Sequence, residues 1–483
     1  MNKINELEFL RSCFIAFLLL FTPLCNAGSL IITNNSPTSI ICQTNQNRIT
    51  INTKQTYTLS PTPKNPLTKV ACNKISHNHI NVTSKSSDHF FLYNPQTQQT
   101  FSVLLAPYIP TYPYGDFSLM LKRIVTEFQT QYPTISLNLV ISKQPQYDIY
   151  THQNLPRLLN RQGFDAIETD MMLLPFMVEN NLILPYKITT EKFWPAAVSA
   201  VTYEHKTYGV PSWMCLEFIF SHDQKIQNIN SLEQLVAFLN TTSNAHFPAL
   251  IGDFSGQYTW TLGPLYFNIY TANHETDKNK ITNQTPEYST IANLLTLTDQ
   301  CNANNNNKCT NNYYHNLDEG ELPKLFAQQK NTAYLGFTEH AFYIRLFDQR
   351  PFFAIPVPWG KKINPLAYTD AYVVNKYRCN NPKCLMAFKN FTDYMNSYPT
   401  RKWIVYSEDL PPNLPPRHLF PAIKEFYAHL SPTLNDGIYE EFMKIIPVTR
   451  AMPSFKLKNR IEFHKKICKI IKTSHPQYHC EIE

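Results

Sequence analysis

Between residues 101 and 179, short apolar strands alternate with segments of helical periodicity, and that alternation confines this part of the chain to layered α/β architectures. Residues 101–105 read as a buried strand running into the turn Pro107-Tyr108-Ile109-Pro110. Helical spacing of apolar residues predicts a helix over 117–131, which Pro133 ends, and residues 134–140 predict a strand. A helix through 154–159, a strand over 164–170 and a helix over 171–179 continue the pattern. Repeated β-α units imply a mainly parallel sheet with helices on both faces. In such sheets ligands collect at the carboxyl ends of the strands, where Tyr108 and Asp170 fall.

Upstream the pattern is different. Runs such as Leu30-Ile31-Ile32-Thr33, Ser39-Ile40-Ile41-Cys42, Arg48-Ile49-Thr50-Ile51 and His79-Ile80-Asn81-Val82-Thr83 are separated by Asn, Pro and Ser clusters, which predicts a small antiparallel β domain. At the N-terminus, Lys3 and Arg11 precede the apolar run from Cys13 to Phe21, and small residues follow at Cys25-Asn26-Ala27. This has the form of a cleavable export signal. The expected organisation is a signal over 1–27, a β-rich domain over 28–97 and an α/β region over 98–483. No later stretch is apolar for long enough to span a membrane, so an exported, periplasmic or secreted protein is expected.

Export gives the cysteines meaning. Of the 11 present, Cys13 and Cys25 leave with the signal. Eight of the rest pair by proximity: Cys42 with Cys72, Cys301 with Cys309, Cys379 with Cys384, and Cys468 with Cys480. Each bridge would stabilise the fold by about 2–4 kcal/mol. Cys215 is left alone in Tyr208-Gly209-Val210-Pro211-Ser212-Trp213-Met214-Cys215. A solitary thiol in an exported chain invites a chemical explanation; a buried inert thiol and an intermolecular disulfide are the alternatives. No doubled C-x-x-C occurs, and no metal site is expected.

Composition excludes several classes. The net charge of +7 is spread among acidic residues except near the C-terminus, so nucleic acid is not implied. Residues 455–472 form a basic amphipathic pattern, read as a docked helix with a solvated charged face. Only 11 glycines occur in 483 residues, which argues against phosphate-cradling loops. The common nucleotide, zinc-protease and serine-hydrolase signatures are missing.

Four motifs, in order, carry a resemblance: the turn with Tyr108; the strand ending at Asp170; the Tyr-Gly-hydrophobic-Pro-x-x-x-Cys segment ending at Cys215; and the acidic pair in Tyr334-Leu335-Gly336-Phe337-Thr338-Glu339 and Tyr368-Thr369-Asp370. From about residue 101 to about 421 the chain resembles thiaminase I (thiamine pyridinylase). The resemblance implies a two-lobed, type II periplasmic binding-protein-like α/β fold with a ligand cleft between lobes. It also implies a thiamine-cleaving transferase in which a cysteine adds to the pyrimidine, the thiazole departs, and a base or thiol takes its place. Cys215 would then be the nucleophile and Glu339 its base. Asp170 and Asp370 would hold the aminopyrimidine, with Tyr108 lining the site. Trp213 and Trp260 are candidate stacking surfaces for a flat heteroaromatic. No cofactor is implied, the partners are thiamine and a small nucleophilic co-substrate, and a monomer is expected.

A thiol needs an adjacent base to become mostly thiolate, and neighbouring carboxylates raise its pKa. Proton transfer to Glu339 on substrate binding is therefore expected rather than a resting ion pair. Each residue also has a plainer use: Asp170 as a helix cap, Glu339 as a helix start, Asp370 in a turn, Tyr108 in the core. Leu216 and Glu217 depart from the small polar residues of the family, and the bulky Trp213 and Met214 precede the cysteine. The β-rich segment and the stretch after about 432 lie outside the resemblance. A non-catalytic carrier of thiamine or a related heteroaromatic remains the alternative, since fold alone does not fix function. A complex-forming role for the β-rich segment is a third reading.

Overall fold

The computed structural model describes the backbone of the strands between residues 29 and 92 and most of residues 99–479. Residues 1–28, with the expected signal, and shorter stretches including 256–261 (Trp260) and 480–483 (Cys480) lie outside the described residues. Two compact units result.

The first comprises Met1–Leu105, Gly115–Gln144 and Met386–Phe391. Its strands are β1 (Ser29–Asn34), β2 (Ile40–Thr44), β3 (Arg48–Ile51), β4 (Thr56–Leu59), β5 (Val70–Cys72), β6 (Ile80–Lys85), β7 (His89–Leu92), β8 (Gln99–Leu105) and β9 (Ile135–Ile141), with helix α1 (Ser118–Gln131) between the last two. The sheet order is β4-β1-β6-β7-β9-β8. Strand β7 pairs antiparallel with β9, whereas β8 and β9 run parallel, the geometry a helical crossover requires. Met120, Leu121, Ile124, Val125 and Phe128 of α1 are buried, and Phe391 packs between Phe101 and Phe128. Strand β2 lies between β3 and β5, with Cys42 directly opposite Cys72.

The second unit comprises Ala106–Tyr114, Pro145–Leu385 and Thr392–Glu483. It contains β10 (Ala166–Asp170), a short hairpin of β11 (Thr202–Tyr203) and β12 (Lys206–Thr207), β13 (Gly209–Cys215), β14 (Glu217–Ser221), β15 (Leu250–Ile251), β16 (Ala333–Phe337), β17 (Phe353–Pro356), β18 (Leu366–Val374), β19 (Phe420–Pro421) and β20 (Arg450–Ala451). Helices used below are α2 (Leu262–Asn273), α3 (His340–Phe347), α4 (Tyr398–Val405) and α5 (Leu457–Ser474). One set of strands runs β19-β13-β18-β10, and another runs β15-β16-β14-β17. The chain passes between the sets at Cys215-Leu216-Glu217.

The expected mainly parallel sheet is corrected here. Strand β18 lies antiparallel between β10 and β13, so those two are parallel to each other only through it. The local β-α rhythm could not reveal a strand arriving from almost two hundred residues away.

Disulfides join Cys301 with Cys309 and Cys379 with Cys384, with Cα separations of 6.1 and 5.1 Å. Cys468 is also disulfide-bonded, its partner lying outside the described residues. Helix α5 docks by Arg460, Phe463, His464, Ile467, Cys468 and Ile471, leaving Lys465, Lys466, Lys469 and Lys472 exposed. Among the described residues, no helix is long and apolar enough to cross a membrane.

Candidate active site

The site is built on three adjacent strands. Asp170 at the end of β10 is the register partner of Asp370 on β18. Across β18's other edge, Asp370 faces Trp213 and Tyr368 faces Cys215. Directly opposed residues share a face of a sheet, so Asp170, Asp370, Trp213, Tyr368 and Cys215 project to one side.

This placement depends on one extra residue. Pro211 pairs with Ala371, but the next pair is Trp213 with Asp370, so Ser212 bulges. Without the bulge Cys215 would face Ala367, and its side chain would emerge from the opposite face to Asp370. A one-residue shift inverts every side chain beyond it, and bulges commonly re-aim functional groups. Pro211, which cannot donate a ladder hydrogen bond, is the local signal for such an irregularity.

Cys215 is the one free cysteine among the described residues and is half-buried. Burial, followed by the charges of Glu339, Asp370, Asp170 and Glu168, holds its thiol well above the ordinary value. The resting sulfur is therefore protonated near neutrality. Of the four carboxylates, Glu339 acts on it most strongly.

Glu339 follows β16 and precedes α3; it is buried and makes no side-chain cap to that helix. Its position is fixed by the motif before it. His340 Nδ1 accepts from the Phe337 amide at 3.2 Å and contacts the Tyr334 hydroxyl at 2.6 Å, and burial lowers the His340 pKa to about 4. A Cβ at Gly336 would lie 2.5 Å from both His340 Nδ1 and the Tyr334 hydroxyl, so this close approach requires glycine.

Asp170 does cap the following helical turn, accepting from the Met172 amide at 2.7 Å. Burial raises its pKa to about 6, opposed by that hydrogen bond and by the Arg460 guanidinium of α5. Asp370 is buried within β18 rather than placed in a turn.

Tyr108 is 46% exposed, which removes it from the core. Its turn is tethered at both ends. Glu168 Oε2 accepts from the Ala106 amide at 3.1 Å, and Arg417 Nε donates to the Pro110 carbonyl at 2.6 Å. Trp213 is only 3% exposed, and one face of its ring is covered by the Arg401 guanidinium, 3.8 Å from the ring centroid.

Four residues near the site were missed by sequence reasoning. Glu168 lies two positions before Asp170 on the same strand, so alternation marked it, whereas Glu217 opens a new strand beyond Cys215 and no periodicity links the two. Tyr368 was quoted in its motif but given no role. Arg460 was legible only as part of a basic helix.

No family model matches the chain, and no curated protein matches it by sequence. Its fold is that of solved thiaminase I structures. Thiaminase I from Bacillus thiaminolyticus superposes with a TM-score of 0.61 at 18% identity, covering 78% of this chain and 99% of that one. Clostridium botulinum thiaminase I in complex with thiamin gives 0.61 at 19%, covering 77% and 100%. An ABC-transporter solute-binding protein from Thermotoga lettingae, bound with α-D-tagatose, gives 0.59 at 14%, covering 78% and 94%. The chain thus has the α/β fold shared by thiaminase I and periplasmic binding proteins, and at these identities the likeness shows the fold alone.

Proposed function

We propose that this chain is an exported thiamine-cleaving transferase, a thiamine pyridinylase acting as a monomer through Cys215. The observation that carries the reading is the Ser212 bulge, which turns the Cys215 thiol, the one free thiol among the described residues, onto the face bearing Asp170 and Asp370. A carrier gains nothing from a nucleophile beside a base, whereas covalent displacement requires both.

In this reading the acidic face attracts the cationic substrate, and Asp170 and Asp370 hold the aminopyrimidine in its protonated, electron-poor form. Tyr108 and Trp213 line the pocket. The resting thiol passes its proton to Glu339 once substrate excludes water, and the thiolate adds to the pyrimidine. The thiazole leaves with the electron pair of its bond to the methylene carbon. A small base or thiol then bonds to that carbon, and the cysteine is released. No step calls for a cofactor.

The fold is shared at a similar TM-score with a solute-binding protein, and that supports one other reading: uptake of thiamine or a related heteroaromatic without cleavage. Incubation of the mature protein with thiamine and aniline or pyridine separates the two. Free thiazole and the exchanged pyrimidine product are expected by mass spectrometry; tight binding of intact thiamine without release would favour the carrier.

A further inference from the structure

Glu217 opens β14, two residues beyond the thiol, and is 7% exposed. Both of its oxygens are engaged: Oε1 accepts from the Tyr368 hydroxyl at 3.1 Å and Oε2 from Asn268 Nδ2 at 2.9 Å. Asn268, in α2, uses its own Oδ1 to accept from the Leu366 amide at 3.0 Å. One carboxylate therefore ties β14, β18 and α2 together where the chain crosses between the two sets of strands. Tyr368 is also the cross-strand partner of Cys215, and the Phe337 ring packs edge-on against it at 5.4 Å. The residue opposite the cysteine is thus the one whose hydroxyl Glu217 holds.

We propose that Glu217 is a positioning residue for the chemistry at Cys215, fixing the Tyr368 ring that stands opposite the cysteine on the neighbouring strand. When ionised, Glu217 accepts from both neighbours. When protonated, it must donate on one side, and the Asn268 amide nitrogen has no lone pair to receive that proton. The carboxyl proton therefore faces Tyr368, whose hydroxyl changes from donor to acceptor and must turn its own hydrogen away from Glu217.

Burial supports such a switch by raising the Glu217 pKa to about 7, opposed by Tyr368 and the Trp359 indole. The titratable groups facing this carboxyl are Tyr368 itself and, acting on that phenol, Asp170 and Cys215.

The inference rests on Cys215 being the reacting group, but its test needs no thiamine. The rate of Cys215 alkylation by iodoacetamide, located by peptide mass spectrometry, is followed from pH 5 to 10 in the wild type, Glu217→Gln and Tyr368→Phe. The wild type is expected to show a break in slope near pH 7 in addition to the titration of the thiol. Glu217→Gln fixes a donor toward Tyr368, and Tyr368→Phe removes the hydroxyl. Each should abolish the break and alter the rate above it by about tenfold to a hundredfold, the scale of a small misplacement of a reacting atom. A wild-type profile in either variant overturns the proposal. If Glu217→Gln does not fold, Tyr368→Phe decides alone. Failure of thiamine cleavage would leave this readout unmoved, so the two proposals fail separately.

Discussion

Asp170 and Asp370 stand directly opposite each other across the β10–β18 ladder, both buried. Like charges so placed oppose folding, and such strain is a common consequence of assembling a charged site. That cost fits the substrate-holding role proposed for both residues.

Asp170→Asn should raise stability at pH 7 while weakening thiamine binding, because asparagine can still accept from the Met172 amide. The Asp170 pKa is raised from 3.8 to about 6, so the native state holds its proton more tightly than the unfolded chain. Its contribution to stability is present below about pH 4 and is lost as pH rises through about 6, roughly 3 kcal/mol across that window. Urea unfolding at successive pH values should show that decline in the wild type and a flatter profile in Asp170→Asn. A variant less stable than the wild type at pH 7 would contradict this.

Glu339→Gln should move two readouts in opposite directions. Removing the strongest charge acting on Cys215 lowers the thiol pKa, so alkylation of the resting protein should accelerate, about tenfold per unit at a fixed pH below the pKa. Turnover of thiamine should collapse, because the proton acceptor is gone. Slower alkylation together with lost turnover would indicate a damaged fold instead.

Arg417 is buried, pairs with Asp409 through two hydrogen bonds of 2.6 and 2.8 Å, and also donates to the Pro110 carbonyl. Arg417→Met leaves the Asp409 charge buried without its partner, a loss of about 3–5 kcal/mol measurable by denaturant titration. It also unhooks one end of the Tyr108 turn, so KM for thiamine should rise more than kcat falls.

Reduction of the disulfides, those of Cys301 with Cys309, Cys379 with Cys384 and the one at Cys468, should lower the melting temperature without abolishing the fold. Cys301 with Cys309 and Cys379 with Cys384 close short loops, each expected to contribute about 2 kcal/mol. Calorimetry with and without reductant measures it. An unchanged melting temperature after verified reduction would show that these bridges contribute nothing to stability.

Much of the framework was legible in the sequence because periodicity is a local property. Helix α1, strands β8 and β9, the strand ending at Asp170 and the docked face of α5 all follow from spacing of apolar residues. The arrangement around Cys215 was not, because it depends on register. Nothing local reveals that β18 enters antiparallel between β10 and β13, and although Pro211 signals an irregularity, it does not give the face on which the thiol emerges. A turn stayed open as the plainer use of Asp370 beside its substrate-holding role, because its neighbours in space were unknown. Glu217 was read only as a departure from a family pattern, since its partners Asn268 and Tyr368 lie 51 and 151 residues away.

The central claim is that Cys215 cleaves thiamine. Its most direct test is thiazole release by the wild type and Cys215→Ser in the presence of excess pyridine, with circular dichroism to verify both folds. The account predicts release by the wild type, none by the variant, and equal spectra. Equal release by both proteins would contradict it.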